Sequence, residues 1–81
     1  MLIGKVTKES TPYVQHDLEV GKSYEVSRIN MGQSHTTIYL VAKRNRVYNS
    51  VIFEFYEDNK RIDIYADARF NPYLREEEID D

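Results

Sequence analysis

Ten residues constrain this chain more than any others: Val47–Tyr56, which reads Val-Tyr-Asn-Ser-Val-Ile-Phe-Glu-Phe-Tyr. The run is rich in β-branched and aromatic side chains and holds neither Gly nor Pro, the composition of a strand. Read at period two, Val51, Phe53 and Phe55 point to one side, and Ser50, Glu54 and Tyr56 to the other. The polar tetrad Glu57-Asp58-Asn59-Lys60 follows and suits a tight turn. Beyond it Arg61–Tyr65 alternates again, with Ile62 and Ile64 on one face. A symmetric turn sets Phe55 opposite Ile62 and Phe53 opposite Ile64, and a one-residue slip would oppose them with Arg61 and Asp63. The expected core is therefore Val51, Phe53, Phe55, Ile62 and Ile64.

The rest of the chain supplies partners for that hairpin. Leu2–Lys8 reads as a first strand, with Gly4 allowing a bend or a close approach. Glu9–His16 is a loop, and Asp17–Lys22 leads through Gly21 into a strand over Ser23–Asn30. Alternation breaks there between Val26 and Ile29, leaving Arg28 on the core side, and a bulge is the simplest repair. Met31–His35 is a loop, Thr36–Ala42 a strand, and Lys43-Arg44-Asn45-Arg46 a basic connection into the central strand. Ala66–Tyr73 is expected to fold its aromatics back over the sheet. Short strands joined by turns predict a mainly β fold, a five-stranded antiparallel barrel of SH3-like type, with an OB-like barrel as the alternative.

Eighty-one residues make one domain, and a chain this short buries only about 60–65% of its unfolded surface. The absence of cysteine excludes a disulfide framework, a thiolate zinc site and a cysteine nucleophile, in keeping with a reducing cytoplasm. Neither a membrane span nor a signal peptide is expected. The net charge of −3 is unevenly spread. Residues 76–81 carry five acids and no base, which leaves eleven Lys and Arg against nine Asp and Glu in residues 1–75, a balance of +2. The expected organisation is one β domain over 1–75 and a disordered acidic tail over 76–81.

Three stretches resemble small uncharacterised proteins of Gram-positive phages and prophages: Leu18 with Gly21-Lys22-Ser23-Tyr24-Glu25-Val26, then Asn49–Phe55, then Ile62-Asp63-Ile64-Tyr65. The resemblance covers no catalytic motif and implies an accessory role in a mobile element.

Candidate chemistry is sparse. Projecting symmetric registers places His35, Glu54 and Asp63 in one row, a set that could ligate a divalent metal or move protons. A solvated charged row is the plainer reading, with Arg61 or Lys60 serving the carboxylates as well as a metal would. Ser34-His35-Thr36 makes no nucleophile, because strand neighbours face opposite ways. With three glycines there is no phosphate loop. An enzyme is not expected, and no cofactor is expected.

The outer face is more informative. The same rows put Tyr39, Val41, Tyr48, Ile52 and Tyr65 outside, a patch suited to a protein partner or to a second copy of the chain. Lys43, Arg44 and Arg46 beside Tyr39 and Tyr48 offer cations next to stacking rings, an arrangement that holds nucleotides or single-stranded nucleic acid. The expected function is a non-catalytic binding module that recognises a host or defence protein in the host cytoplasm. The alternative is a nucleotide- or single-stranded-nucleic-acid-binding barrel acting as an oligomer.

Overall fold

The computed structural model describes residues 1–75. Six strands form one antiparallel sheet: β1 (Leu2–Val6), β2 (Ser23–Met31), β3 (Thr36–Leu40), β4 (Lys43–Asn49), β5 (Phe53–Glu57) and β6 (Lys60–Ile62). Their spatial order is β4-β3-β2-β1-β5-β6, so β1 sits between β2 and β5 in the middle of the sheet. Among the described residues there are also three short 3-10 turns, at Ser50–Ile52, Ile64–Ala66 and Pro72–Arg75. The expected acidic tail over 76–81 lies outside the described residues.

The sheet is curled but not closed, which corrects the expectation of a five-stranded barrel. In a flat sheet β4 and β5 would lie about 19 Å apart, four strand spacings. Their side chains nonetheless meet: the Tyr48 and Phe53 rings pack edge to face with centroids 6.3 Å apart. Among the described residues no ladder joins β4 to β5 or β6, so both ends of the sheet remain edges. The space inside the curl is filled by Val6, Val26, Ile38, Leu40, Tyr48, Ile52, Phe53, Phe55 and Ile64, with Leu18 and Met31 at its margins.

The β5–β6 hairpin has the register read from the sequence, with Phe55 opposite Ile62. Its two-residue turn is Asp58-Asn59, both with positive φ of 51° and 66°, the conformation whose twist matches the strands it joins. The expected pairing of Phe53 with Ile64 does not form. β6 stops at Ile62, and Asp63 accepts a hydrogen bond from the Tyr65 N–H to start a 3-10 turn that buries Ile64 instead. Ile62 is half-buried.

The bulge in β2 is where the broken alternation placed it. Val26 opposes Leu40 and Arg28 opposes Tyr39, so Ser27 is the extra residue. The inserted residue shifts the inward set from Tyr24 and Val26 to Ile29 and Met31 and turns Arg28 outward. It also sets Ile29 opposite Ile38.

Val47–Tyr56 is not one strand. Asn49 accepts a hydrogen bond from the Val51 N–H, and the 3-10 turn that follows carries the chain from one end of the curled sheet to the strand beside β1. Even-numbered residues face inward up to Ile52 and odd-numbered ones from Phe53 onward. Val51, expected in the core, is accordingly 47% exposed, while Ile52, expected outside, is 1% exposed.

The long connection between β1 and β2 is tied at both ends. Thr7 donates its N–H to the Ile52 carbonyl at 2.8 Å, and Gly21 donates to Val6 O at 2.7 Å. Gly21 has φ +88°, a left-handed backbone that side chains rarely adopt. Gly4 serves a different need. The Phe53 ring packs against β1 at this point, and a Cβ here would lie 3.0 Å from Phe53 Cδ1. The close approach anticipated for this glycine is thus made by a core ring.

Candidate functional site

Each 3-10 turn begins on a short polar side chain: Asn49, Asp63 and Asn71 accept from the backbone N–H two residues on, at 3.1, 2.9 and 3.0 Å. Such residues favour this role because their side chains imitate a turn of backbone. Pro72 follows Asn71 with φ already set for a helical turn. Asn71 Nδ2 also donates to Tyr65 O at 2.8 Å, fastening the last turn to the middle one. Three caps therefore fix three surface residues: Val51, Tyr65 and Tyr73.

These residues converge on a cleft of about 430 Å³ between the β2–β3 loop (residues 32–35), the Ser50–Ile52 turn and the C-terminal turn. The loop is tight, with the Gly32 N–H donating to His35 O at 2.8 Å. Tyr65 is 47% exposed and Tyr73 40% exposed, and with Val51 they form the apolar wall. Gln33, Ser34 and His35 form the facing rim. At the base, the Tyr65 hydroxyl is hydrogen-bonded to Ser50 Oγ. Among the described residues no Asp, Glu, Lys or Arg lines the cleft. Such a site desolvates rings and hydrogen-bonds neutral polar groups, and it offers a phosphate or carboxylate no counter-charge.

Of the side chains expected on the outer face, the structure leaves some outside and moves others in. Tyr65 is at the cleft. Val41 is 49% exposed, in the Val41–Ala42 turn between β3 and β4, with its N–H donating to Glu25 O at 3.0 Å. Tyr39 is half-buried on β3, with the Arg28 guanidinium 5.4 Å from its ring centroid. Tyr48 and Ile52 are core residues, because the turn at 50–52 reverses the parity on which their placement rested. Tyr39, Tyr48 and Tyr65 do not form a common patch.

Lys43, Arg44 and Arg46 are not a hairpin tip but the start of β4 itself. The ladder skips from Leu40 opposite Lys43 to Tyr39 opposite Val47, so Arg44, Asn45 and Arg46 bulge from the edge without β3 partners. Asp17, on the long connection, faces them. Its Oδ2 lies 3.8 Å from Lys43 Nζ and 3.5 Å from Arg46 Nε, and its Oδ1 accepts a 2.7 Å hydrogen bond from the Tyr48 hydroxyl. That hydrogen bond, helped by the two cations, holds the Asp17 carboxyl below the usual aspartate value. Burial and the same carboxylate push the Tyr48 phenol up to about 12. His16 takes its hydrogen bonds from the long connection itself. His16 Nδ1 accepts from the Leu18 N–H at 3.1 Å, and its Nε2 meets Lys8 O at 2.7 Å.

His35, Glu54 and Asp63 are not brought together. His35 is on the cleft rim and Asp63 is a cap. Glu54 accepts from the Tyr56 hydroxyl at 3.0 Å and pairs with Arg61 at 3.9 Å. The projected row fails because Asp63 lies past the end of β6 and His35 in a loop. Among the described residues no group of three or more His, Asp or Glu could hold a metal ion, and no helix is long and apolar enough to cross a membrane.

Tyr73 and Val51 are the site residues that the sequence reading missed, and Asn49 and Asn71-Pro72 were the signals for them. Inside or beside an apolar run, an Asn that can cap a turn marks a break.

No curated protein and no solved structure matches this chain. A phage protein family does, its model covering residues 7–76, all the elements from the long connection to the last turn. The chain belongs to the family described as bacteriophage T4 protein Y07B.

Proposed function

We propose that this protein is a non-catalytic binding module, a phage accessory protein that binds and modulates a host or defence protein inside the host cell, and that Tyr65, Tyr73 and Val51 grip the partner. The observation that carries this reading is the uncharged cleft itself: two rings and an aliphatic side chain, all well exposed, are held by capped turns around a concavity. Exposed apolar groups on rigid supports lose little entropy on association, and Tyr gives both contact area and one oriented hydroxyl. Membership of a phage family supports the accessory role. It gives no support to the Gram-positive host that the sequence resemblance implied.

We read the curled sheet as a variant of the SH3-like barrel. In support, β1 pairs with both β2 and β5, a long connection follows β1, and a 3-10 turn separates β4 from β5. The nucleotide or single-stranded nucleic acid alternative is the weaker one, because Lys43 and Arg46 face Asp17 and the cleft near Tyr65 is lined by no Lys or Arg among the described residues.

The test pairs wild type with a Tyr65→Ala/Tyr73→Ala double variant, in affinity capture from infected cells and then titration of the captured partner. The variant should keep its melting temperature within a few degrees and bind at least tenfold more weakly, about 1.4 kcal/mol or more. Equal binding by the two proteins would remove the cleft from consideration. Light scattering on both proteins reports whether a second copy is the occupant.

A further inference from the structure

A second surface lies away from the tyrosine cleft, between the tip of the long connection and the first half of β4. We propose that it is a docking groove for an extended, acidic segment of a partner protein. The groove encloses about 810 Å³, with Pro12, His16 and Asp17 on one wall and Asn45, Arg46 and Tyr48 on the other.

The loop wall is built rather than loose. Thr11 Oγ1 accepts from the N–H groups of Tyr13 and Val14 at 3.3 and 3.1 Å, and the Thr11 N–H donates to Val14 O at 3.0 Å. Ser10 Oγ accepts from the His16 N–H at 3.0 Å. Val14 and Leu18 pack onto the core, anchoring the segment from below. On this frame Tyr13 projects at 96% exposure. A tyrosine that contributes nothing to the core, carried on a fixed turn, has the character of an interface anchor.

The strand wall is cationic. Arg46 lines the groove and Lys43 and Arg44 precede it on β4, while Asp17 pairs with Lys43 and Arg46, a local balance of +2. The two ion pairs with Asp17 are long and solvent-exposed, so they cost little to exchange for incoming carboxylates. Arg44 has no ion pair among the described residues. Next to these cations Val47 is 59% exposed, an apolar contact in the same stretch.

Backbone chemistry decides between a peptide and a nucleic acid. β4 is an edge, and among the described residues only β3 forms a ladder with it. An added strand can both donate to its free carbonyls and accept from its free N–H groups, whereas a phosphodiester backbone only accepts. Side chains on one face of an added strand recur about every 7 Å. That spacing lets acids at alternate positions follow Arg44 and Arg46, which lie two residues apart on β4.

The experiment is a titration of the isotope-labelled full chain, followed by amide chemical shifts, with three probes. They are a blocked six-residue peptide alternating Glu and Val, the same peptide with Lys for Glu, and a six-nucleotide oligothymidylate. The acidic peptide should shift the amides of residues 12–14 and 43–48. Arg44→Glu/Arg46→Glu should weaken it at least tenfold without changing the melting temperature, and Tyr13→Ala several-fold. The proposal fails if the oligothymidylate binds these residues as tightly, or if the Lys peptide does. It also fails if millimolar acidic peptide leaves them unmoved. Removing residues 76–81 is the remaining control. If the acidic peptide binds only after that removal, the groove serves the chain's own terminus and the proposed partner is excluded.

Discussion

Burying Tyr48 puts a hydroxyl into a thin core, and Asp17 is what makes that burial stable. Replacing the tyrosine with Phe removes the hydrogen bond to a charged acceptor, and unfolding in urea should show a loss of about 1–3 kcal/mol. Tyr48→Ala also leaves a cavity against Phe53 and should cost about 3–5 kcal/mol, enough to unfold most of a domain this small. A folded and stable Tyr48→Ala protein would contradict the inward placement of the ring. The same pair sets the pH limits of the fold. Asp17 is held below its ordinary value of 3.8, so its stabilising effect is complete above that value and lost as pH falls through the lower, folded value. Glu57 and Asp67 are held low mainly by hydrogen bonds from Arg69, and they add to the acid sensitivity with the same sign. Tyr48 has the opposite sign: its contribution is intact below pH 10 and disappears as pH rises towards about 12. Tyrosinate absorbance should contain a component titrating near that upper value, and Tyr48→Phe should abolish it. An unchanged titration in the variant would mean that the phenol is not held by Asp17.

At the scale of single elements, local rules were readable wherever they governed. The β5–β6 register followed from Phe55 and Ile62 flanking a turn-forming tetrad, and the β2 bulge followed from an alternation that stalled between Val26 and Ile29. The turn between β4 and β5 was hidden, because Asn49 and Ser50 sit inside an otherwise unbroken strand-forming run and parity was fixed on Phe53 and Phe55 alone. One unnoticed turn then reversed the faces of Tyr48, Val51 and Ile52, and with them two of the five residues expected on the outer patch. Tyr65 remained at the candidate site, although a cap from Asp63 places it there instead of a strand. Barrel closure could not be read at all, since it depends on how the two sheet ends meet and no local pattern encodes that. The hairpin turn also supplies a prediction. Asp58 and Asn59 both occupy left-handed conformations, which Asn-Gly fills with less strain. The double change Asp58→Asn/Asn59→Gly should raise the urea midpoint, corresponding to about 0.5–1 kcal/mol. A lower midpoint would mean that the turn is not of this type.

For the whole molecule, the arrangement of the sheet orders its local stabilities. β1 is paired on both sides, and its register with β5 runs through five residue pairs from Leu2 opposite Glu57 to Val6 opposite Phe53. β6 is three residues long with Lys60 and Arg61 exposed, a blunt edge of the kind that resists pairing with other chains. Amide hydrogen exchange should be slowest in β1 and its neighbours β2 and β5, and faster by orders of magnitude in β6 and in residues 44–46 of β4. Uniform protection across the sheet would mean that the edges are covered by something the strand order does not contain.

The central position of β1 also has a consequence for biosynthesis. The strand at the middle of the sheet is made before its partner β5, which follows about fifty residues later. At 5–20 residues per second the ribosome takes on the order of 3–10 s to cover that interval. During it, β1 and β2 can pair through their own ladder while the side of β1 that awaits β5 stays open to any other strand in the cell. The growing chain spends those seconds as a two- or three-stranded sheet whose most protected strand is still an edge. Synthesis therefore exposes the chain's most adhesive surface before the fold can cover it, and the yield of native protein should depend on translation speed as much as on final stability.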